Sequence, residues 1–181
     1  MDTIKFVIEQ YKDEEGGYEF PVVNIYINGQ DLIDLLTRVE RKDWDGNKKS
    51  RSGYIGFEVT NFERFRKEML GEKIYPKSVL LTCTCTIPEC NCIMANMLFD
   101  SHTVTWSDIK SPWLGGKTPN RFIEEAEAQE LGWQPLDYSG LGPFVFDREQ
   151  YFSALDKVTS VWRTDAAQKI GENLKKYNGE D

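Results

Sequence analysis

The sequence predicts a single α+β domain, spanning residues 1–181, in which antiparallel strands and hairpins pack against a few helices. Several short segments alternate apolar and polar residues, the two-residue period of a half-buried strand. Helical patterns lie before and after these segments instead of alternating with them, which is typical of α+β folds. The length of 181 residues suffices for one hydrophobic core.

Two strands are predicted at the start of the chain. Residues 3–10 alternate in hydrophobicity, residues 12–17 form a polar turn, and residues 20–28 alternate again until Asn28-Gly29 breaks the pattern. The apolar positions expected to share the buried side of these strands are Ile4, Phe6, Ile8, Val23, Ile25 and Ile27.

Two short helices are predicted next. Asp31 can cap the first of them, and Asn61 can cap the second, which Gly71 ends. Their apolar stripes are Leu32, Leu35, Leu36 and Val39 in the first and Phe62, Phe65 and Met69 in the second. Between them, residues 40–56 are highly charged around Trp44, and we interpret this stretch as a solvated connection rather than a contact site.

All 4 cysteines lie within ten residues, at the predicted tip of a β-hairpin: Cys83, Cys85, Cys90 and Cys92. If residues 86–89 form the connection, Cys85 lies opposite Cys90 and Cys83 lies opposite Cys92. All four thiols then share one face of the hairpin.

Three interpretations of these cysteines remain open. They can be small buried hydrophobic residues, since free cysteine is among the most buried residue types. They can ligate a structural zinc ion, although CxC…CxC is a weaker signal than the usual CxxC pair. They can form a redox-active or disulfide pair, although no neighbouring cation is visible that would lower a thiol pKa. With 1 histidine in the chain, a metal here is expected to be structural rather than catalytic.

Further strands and helices are predicted after the hairpin. The only histidine, His102, is expected to be exposed in a tight turn that precedes a strand over residues 103–106. Residues 119–131 read as a helix whose glutamates form a solvated face. Asp147 and Gln150 fit a capping box, and Phe146 with Tyr151 fits a hydrophobic staple. This helix start leads into an amphipathic C-terminal helix with its apolar face formed by Tyr151, Leu155, Val158 and Trp162.

Composition narrows the function classes. The net charge of -8 disfavours nucleic acid as a partner, because phosphate binding needs a basic surface. It suits either a soluble protein or one whose partner is basic, and charge alone does not choose between them. No apolar run reaches the length of about 18 residues that a membrane-spanning helix needs. The N-terminus lacks a signal-peptide pattern, so a cytoplasmic location with reduced thiols is expected.

Two segments carry a resemblance to a known family. One runs from Leu80 to Asp108 and includes the strand Thr103-Val104-Thr105-Trp106-Ser107-Asp108; the other runs from Asp137 to Tyr151 and includes Gly140-Leu141-Gly142-Pro143-Phe144. They resemble a family of uncharacterised bacterial proteins with a CxC…C hairpin, a TVxWxDF strand and a C-terminal YxGLGPFxFDRxxYxxAL motif. Cys83, Cys85 and Cys90 match the cysteines of that family, and Cys92 stands where many members have tryptophan. The resemblance implies an α+β fold and a bacterial origin, and it brings no activity.

The sequence lacks the usual catalytic motifs, including phosphate-binding glycine loops, a nucleophile elbow and HExxH. We therefore expect a small acidic, non-enzymatic binding protein of the bacterial cytoplasm. An immunity or antitoxin-type partner of a basic protein is one concrete version. The alternatives are a zinc-stabilised module and a thiol redox protein, both of which would use the cysteine hairpin. The oligomeric state is left open.

Overall fold

The computed structural model describes residues 1–12, 19–40, 53–73, 75, 77–84, 92–111, 130, 138 and 140–178, with side chains of the last helix described as far as residue 165. These residues form two sheets of mainly antiparallel strands, together with three helices whose bounds are described. The predicted α+β class is therefore confirmed.

The first sheet contains the two predicted N-terminal strands. β1 (Ile4–Lys12) pairs antiparallel with β2 (Glu19–Ile27) along its whole length. Asn28-Gly29 then reverses the chain into β3 (Gln30–Asp31), with φ angles of 52° and 76° that are typical of a two-residue type I′ hairpin. β5 (Phe57–Glu58) also pairs with β2, beside Val22 and Val23.

The second sheet has five strands in the order β4-β6-β7-β8-β9. They are β4 (Tyr54–Ile55), β6 (Ser78–Cys83), β7 (Cys92–Phe99), β8 (Thr103–Lys110) and β9 (Phe144–Asp147). The predicted hairpin is β6–β7, and the predicted strand after His102 is β8, which runs four residues further than expected. Bulges shift the register between Val79 and Leu81 and between Met94 and Asn96.

The two sheets are joined at two places. β4 runs through Gly56 directly into β5, so consecutive residues pass from the second sheet to the first. A Cβ atom on Gly56 would lie 2.2 Å from the carbonyl oxygen of Val23, which explains why glycine occupies this crossing. At the other end, Asp2 forms a parallel bridge with Phe146 of β9. Strand pairing therefore continues from β9 back to the start of β1.

The helices are α1 (Leu32–Glu40), α2 (Phe62–Met69) and α3 (Arg148–Asn178). The cap predicted for α1 is confirmed, since the Ile33 amide donates to Asp31 Oδ1 at 2.8 Å. Asn61 occupies the N-cap position of α2, but its side chain forms no capping bond, so that part of the prediction is wrong. A 3₁₀ turn precedes the helix and gives Asn61 φ -101° and ψ 21°, outside the extended region in which a capping side chain reaches back.

The start of α3 follows half of the predicted capping box. The Gln150 amide donates to Asp147 Oδ1 at 2.9 Å, as an N-cap requires. The Gln150 side chain does not return to the Asp147 backbone; its Nε2 donates instead to the carbonyl of Ile4 at 2.7 Å. The staple is confirmed, because the rings of Phe146 and Tyr151 lie 5.8 Å apart between centroids.

One core lies between the sheets and the helices. α3 contributes the predicted Tyr151, Leu155 and Val158, all buried. The Tyr151 ring meets Phe6 of the first sheet and Trp106 of the second edge-on, at 6.0 Å from each centroid. Its hydroxyl donates to the carbonyl of Met69 in α2 at 2.9 Å, and burial raises its pKa. Tyr151 therefore connects both sheets to α2.

Several predictions concern residues that the structure does not describe. They are residues 41–52 of the charged connection around Trp44, the hairpin tip at residues 85–91, and the helix over residues 119–131 except Glu130, which is helical. These stay predictions. The end of the connection is described, and there the expected solvated stretch is wrong, because Tyr54 and Ile55 form β4 and are buried.

Candidate functional site

The structure separates the two cysteines that it describes. Cys92 begins β7 and is fully buried in the core, whereas Cys83 ends β6 and is half-buried. Cys85 and Cys90 lie outside the described residues. Among the residues that are described, no group of three potential metal ligands comes together.

The register of the hairpin differs from the expected one. Cys92 lies opposite Thr82, not opposite Cys83. Because neighbouring residues on a strand point to opposite faces, Cys83 and Cys92 lie on different faces of the hairpin. The expectation that Cys83 and Cys92 are paired on one face is therefore wrong. The pairing next to the hairpin tip is displaced by one residue from the expected one, and the bulge between Val79 and Leu81 changes the register again further from the tip. Ligation by all four cysteines remains a prediction.

The turn between β7 and β8 places His102 on the surface, as expected. Asp100 organises this turn: its Oδ1 accepts from the amides of His102 and Thr103, each at 2.7 Å. Its Oδ2 accepts from the Thr103 hydroxyl, also at 2.7 Å. These bonds, the His102 amide foremost, lower the pKa of the Asp100 carboxyl to about 2. Asp100 therefore carries its negative charge throughout the physiological pH range.

A sheet face beside this turn is the main surface feature that sequence analysis missed. The register places Leu98, Thr105 and Val145 in one row across β7, β8 and β9. The same outward face carries further polar residues, and we call it the Leu98 face. It consists of Asn96, Leu98, Thr103, Thr105, Ser107 and Val145.

The Leu98 face is turned away from the helix that covers the other side of the sheet. α3 packs on that opposite side, where Tyr151 contacts Trp106 and Phe146. Leu98 is 66% exposed on this outward face, at the β7 end of the row. Isolated exposed leucines are common, but Leu98 shares one row of a rigid sheet with Thr105 and Val145 and can serve as a contact surface.

Charged groups border the Leu98 face. Asp108, in a left-handed conformation at φ 50°, forms ion pairs with Lys77 and with Lys110, the latter at 3.2 Å. The bond from Lys77 is the main cause that lowers the pKa of Asp108. Near β9, Asp2 Oδ2 accepts from the amide of Val145 at 2.8 Å. The border therefore consists of carboxylates fixed by ion pairs or hydrogen bonds, with lysines at one end.

A second polar cluster lies on the outward side of the first sheet. Both carboxylate oxygens of Glu9 accept from the hydroxyl of Tyr26, at 3.0 and 2.9 Å, and one accepts from Asn24 at 2.7 Å. Burial, followed by the Glu9 carboxylate, raises the pKa of Tyr26 to about 12. A cavity of about 480 Å³ lies beside this cluster, with Lys5 at its border.

Part of the Leu98 face could be predicted from the sequence. The alternation of residues 92–99 assigns Leu98 to the face opposite Phe99, but it does not say which face a helix covers. The row of Leu98, Thr105 and Val145 also requires β9 to pair with β8, and β9 is distant from β7 and β8 in sequence.

Comparisons of the chain with protein-family models, with curated proteins and with solved structures gave no match. The resemblance to the uncharacterised bacterial family remains a prediction. None of the helices in the described part of the chain is both long and apolar enough to cross a membrane.

Proposed function

We propose that this chain is a small acidic, non-enzymatic protein-binding module of the bacterial cytoplasm that contacts a basic protein through its Leu98 face. The observation that carries the proposal is the 66% exposure of Leu98 on an outward sheet face. Burying such a leucine against a partner contributes about 1.5–3 kcal/mol.

The chemistry of the partner follows from charge. The chain carries a net charge of -8, so a basic protein is attracted to it and approaches it faster than a neutral one. Asp100 adjoins the Leu98 face and remains ionised, which provides a negative group at the border of the contact. An immunity or antitoxin-type pairing with a basic enzyme fits this chemistry.

The test is affinity capture from bacterial lysate with the purified chain, its Leu98→Asp variant and a Val161→Asp control. Val161 is a second exposed apolar residue, 45% exposed on α3, so the control introduces the same charge elsewhere. We expect the wild type and Val161→Asp to retain one basic protein at 1:1 stoichiometry, and Leu98→Asp to lose it. Raising the salt concentration should weaken the retention. Equal retention by Leu98→Asp, or no stoichiometric basic protein, contradicts the proposal.

The zinc-stabilised module is retained as the alternative because four thiols lie within ten residues. Native mass spectrometry with elemental analysis tests it. One zinc per chain, lost in both Cys85→Ser and Cys90→Ser, would support a metal site at the hairpin tip. A chelator would then also lower the stability strongly.

A further inference from the structure

A polar groove between α2 and α3 is separate from the Leu98 face. It encloses about 600 Å³, within the usual range for small-molecule sites. Arg66 from α2 and five residues from α3 line it, and every one of them has a polar side chain. The α3 residues are Asp156, Thr159, Ser160, Arg163 and Thr164.

Aromatic stacking fixes the relative position of the two helices at this groove. The rings of Phe62 in α2 and Trp162 in α3 stack with centroids 4.6 Å apart and planes inclined by 12°. Arg66 lies one helical turn after Phe62, and Arg163 directly follows Trp162. Arg66 and Arg163 therefore line one groove from two helices that pack against each other.

The hydroxyl groups of the groove differ in what they can donate. Thr159 donates to the carbonyl of Leu155 at 2.7 Å, and Thr164 donates to that of Ser160 at 3.0 Å. Within the described residues, the Ser160 hydroxyl has no hydrogen-bond partner, so its proton is free to bind a ligand. Thr159 is buried and forms the floor of the groove.

The charges of the groove also lack partners within the described part of the chain. The ion pairs found there join Lys12 with Glu19 and join Lys77 and Lys110 with Asp108; none includes Arg66 or Arg163. Asp156 lines the same groove without pairing with either arginine. Two guanidinium groups thus face one carboxylate, in a chain whose net charge is -8.

We propose that this groove binds the phosphate group of a small phosphate monoester. Guanidinium groups present paired N–H donors that match two oxygens of a phosphate, and binding by two arginines is favoured over binding by lysines for this geometry. Arg66 and Arg163 contact the phosphate oxygens from the two helices, and the Ser160 hydroxyl donates a further bond. Asp156, at the same groove, accepts from a hydroxyl of the organic part.

Isothermal titration calorimetry with glycerol phosphate, inorganic phosphate and glycerol tests this site. We expect glycerol phosphate to bind more tightly than inorganic phosphate, and glycerol to give no heat. Arg66→Gln and Arg163→Gln should each weaken glycerol phosphate binding at least about tenfold, equivalent to a loss of about 1.4 kcal/mol. Ser160→Ala should weaken it by a smaller factor.

Two matched controls separate a specific site from general attraction to positive charge. Lys67→Gln and Lys157→Gln remove one exposed positive charge from the same two helices, directly beside Arg66 and Asp156. We expect both to keep wild-type affinity. Equal weakening by these controls, or no binding by the wild type at millimolar phosphate monoester, overturns the proposal. Tighter binding of a single-stranded oligonucleotide than of glycerol phosphate would also overturn it.

Unfolding measurements without and with ligand complete the test. None of the three substituted groove side chains forms a hydrogen bond or ion pair within the described residues, so their variants should unfold near the wild-type midpoint. Glycerol phosphate should raise the unfolding temperature of the wild type and leave that of Arg163→Gln unchanged. A rise of the same size in both would contradict a site that uses Arg163.

Discussion

The side-chain amide of Gln150, in the first turn of the last helix, donates a 2.7 Å hydrogen bond to the backbone carbonyl of Ile4 in the first strand. Ile4 lies in the part of β1 next to Asp2, whose amide donates to the carbonyl of Val145 at 2.7 Å. With the bond from the Val145 amide to Asp2 Oδ2, three bonds therefore hold the beginning of the chain against the region where β9 passes into α3.

The first prediction concerns this bond and the neighbouring cap. Gln150→Ala leaves the part-buried Ile4 carbonyl without its donor, and we expect a loss of about 1–2 kcal/mol of unfolding free energy. Asp147→Ala removes the N-cap of α3 and should cost about 0.5–2 kcal/mol. Urea unfolding measures both changes, with Glu149→Ala as the control at an exposed neighbouring position. A Gln150→Ala variant as stable as this control would contradict the role of the bond.

Gly56 supports the second prediction, because it is where the chain passes between the two sheets. Gly56→Ala would place a Cβ atom 2.2 Å from the carbonyl oxygen of Val23, so the backbone must shift. Such overpacking costs typically about 1–3 kcal/mol, and we expect at least that loss in chemical unfolding. Gly53→Ala is the matched control, since nothing lies within 4 Å of its added Cβ. Similar losses in both variants would show that conformational effects of alanine, and not the close approach, are responsible.

The third prediction concerns Glu68, which is only 1% exposed. Burial raises the pKa of its carboxyl, although the bond from the Val79 amide and the charge of Arg64 oppose this. Because the pKa is higher in the folded state than in the unfolded state, ionisation of Glu68 lowers the free energy of unfolding as pH rises above the ordinary value of 4.5. Glu68→Gln keeps an acceptor for Val79 and removes the charge. We therefore expect this variant to be more stable than the wild type at pH 7 and equally stable at pH 4.

Glu68→Ala provides the contrast to that isosteric variant. It leaves the buried Val79 amide without an acceptor, which costs about 1–3 kcal/mol in addition to the lost packing. Urea unfolding of the three proteins between pH 4 and pH 8 measures the difference. If Glu68→Gln loses stability at pH 7, the carboxylate is charged and stabilising in the folded protein, contrary to the prediction.

The fourth prediction concerns acid unfolding and Asp100. Hydrogen bonds from the His102 amide, the Thr103 hydroxyl and the Thr103 amide lower the pKa of its carboxyl from 3.8 to about 2. Because the folded pKa is below the unfolded one, this group stabilises the fold above pH 3.8 and the stabilisation is lost as pH falls towards 2. We expect the free energy of unfolding of Asp100→Asn to decrease less than that of the wild type as pH falls from 3.8 towards 2. Identical pH profiles would exclude the contribution of Asp100.

Local sequence signals predicted much of the secondary structure. Alternation located β1 and β2, and a helical stripe with a glycine stop located α2. Asp31 and Asp147 cap their helices as predicted, because a capping carboxylate and the amide that it accepts from are close in sequence. Gln150 was the exception. Its side chain bonds to Ile4 and not to the nearby Asp147 backbone, and only the folded chain brings Ile4 within hydrogen-bonding distance.

The surfaces proposed as binding sites were less accessible to sequence reasoning. The Leu98 face joins residues of three strands, and β9 is distant in sequence from the other two. The register next to the hairpin tip, which set Cys92 opposite Thr82 and away from Cys83, was likewise not readable from the sequence. The groove between α2 and α3 brings together Arg66 and Arg163, which are far apart in sequence and look like ordinary exposed cations on their own helices.

The α+β class and the positions of most strands and helices could be predicted from the sequence alone, together with the buried side of β1, of β2 and of the helices. These properties follow from periodicity and from contacts between residues near one another in the chain. Only the tertiary structure decided which strands are neighbours, where the bulges shift their registers, and which outward face remains uncovered. Those outcomes depend on packing between segments distant in sequence, such as the stacking of Phe62 on Trp162, and no local pattern encodes them.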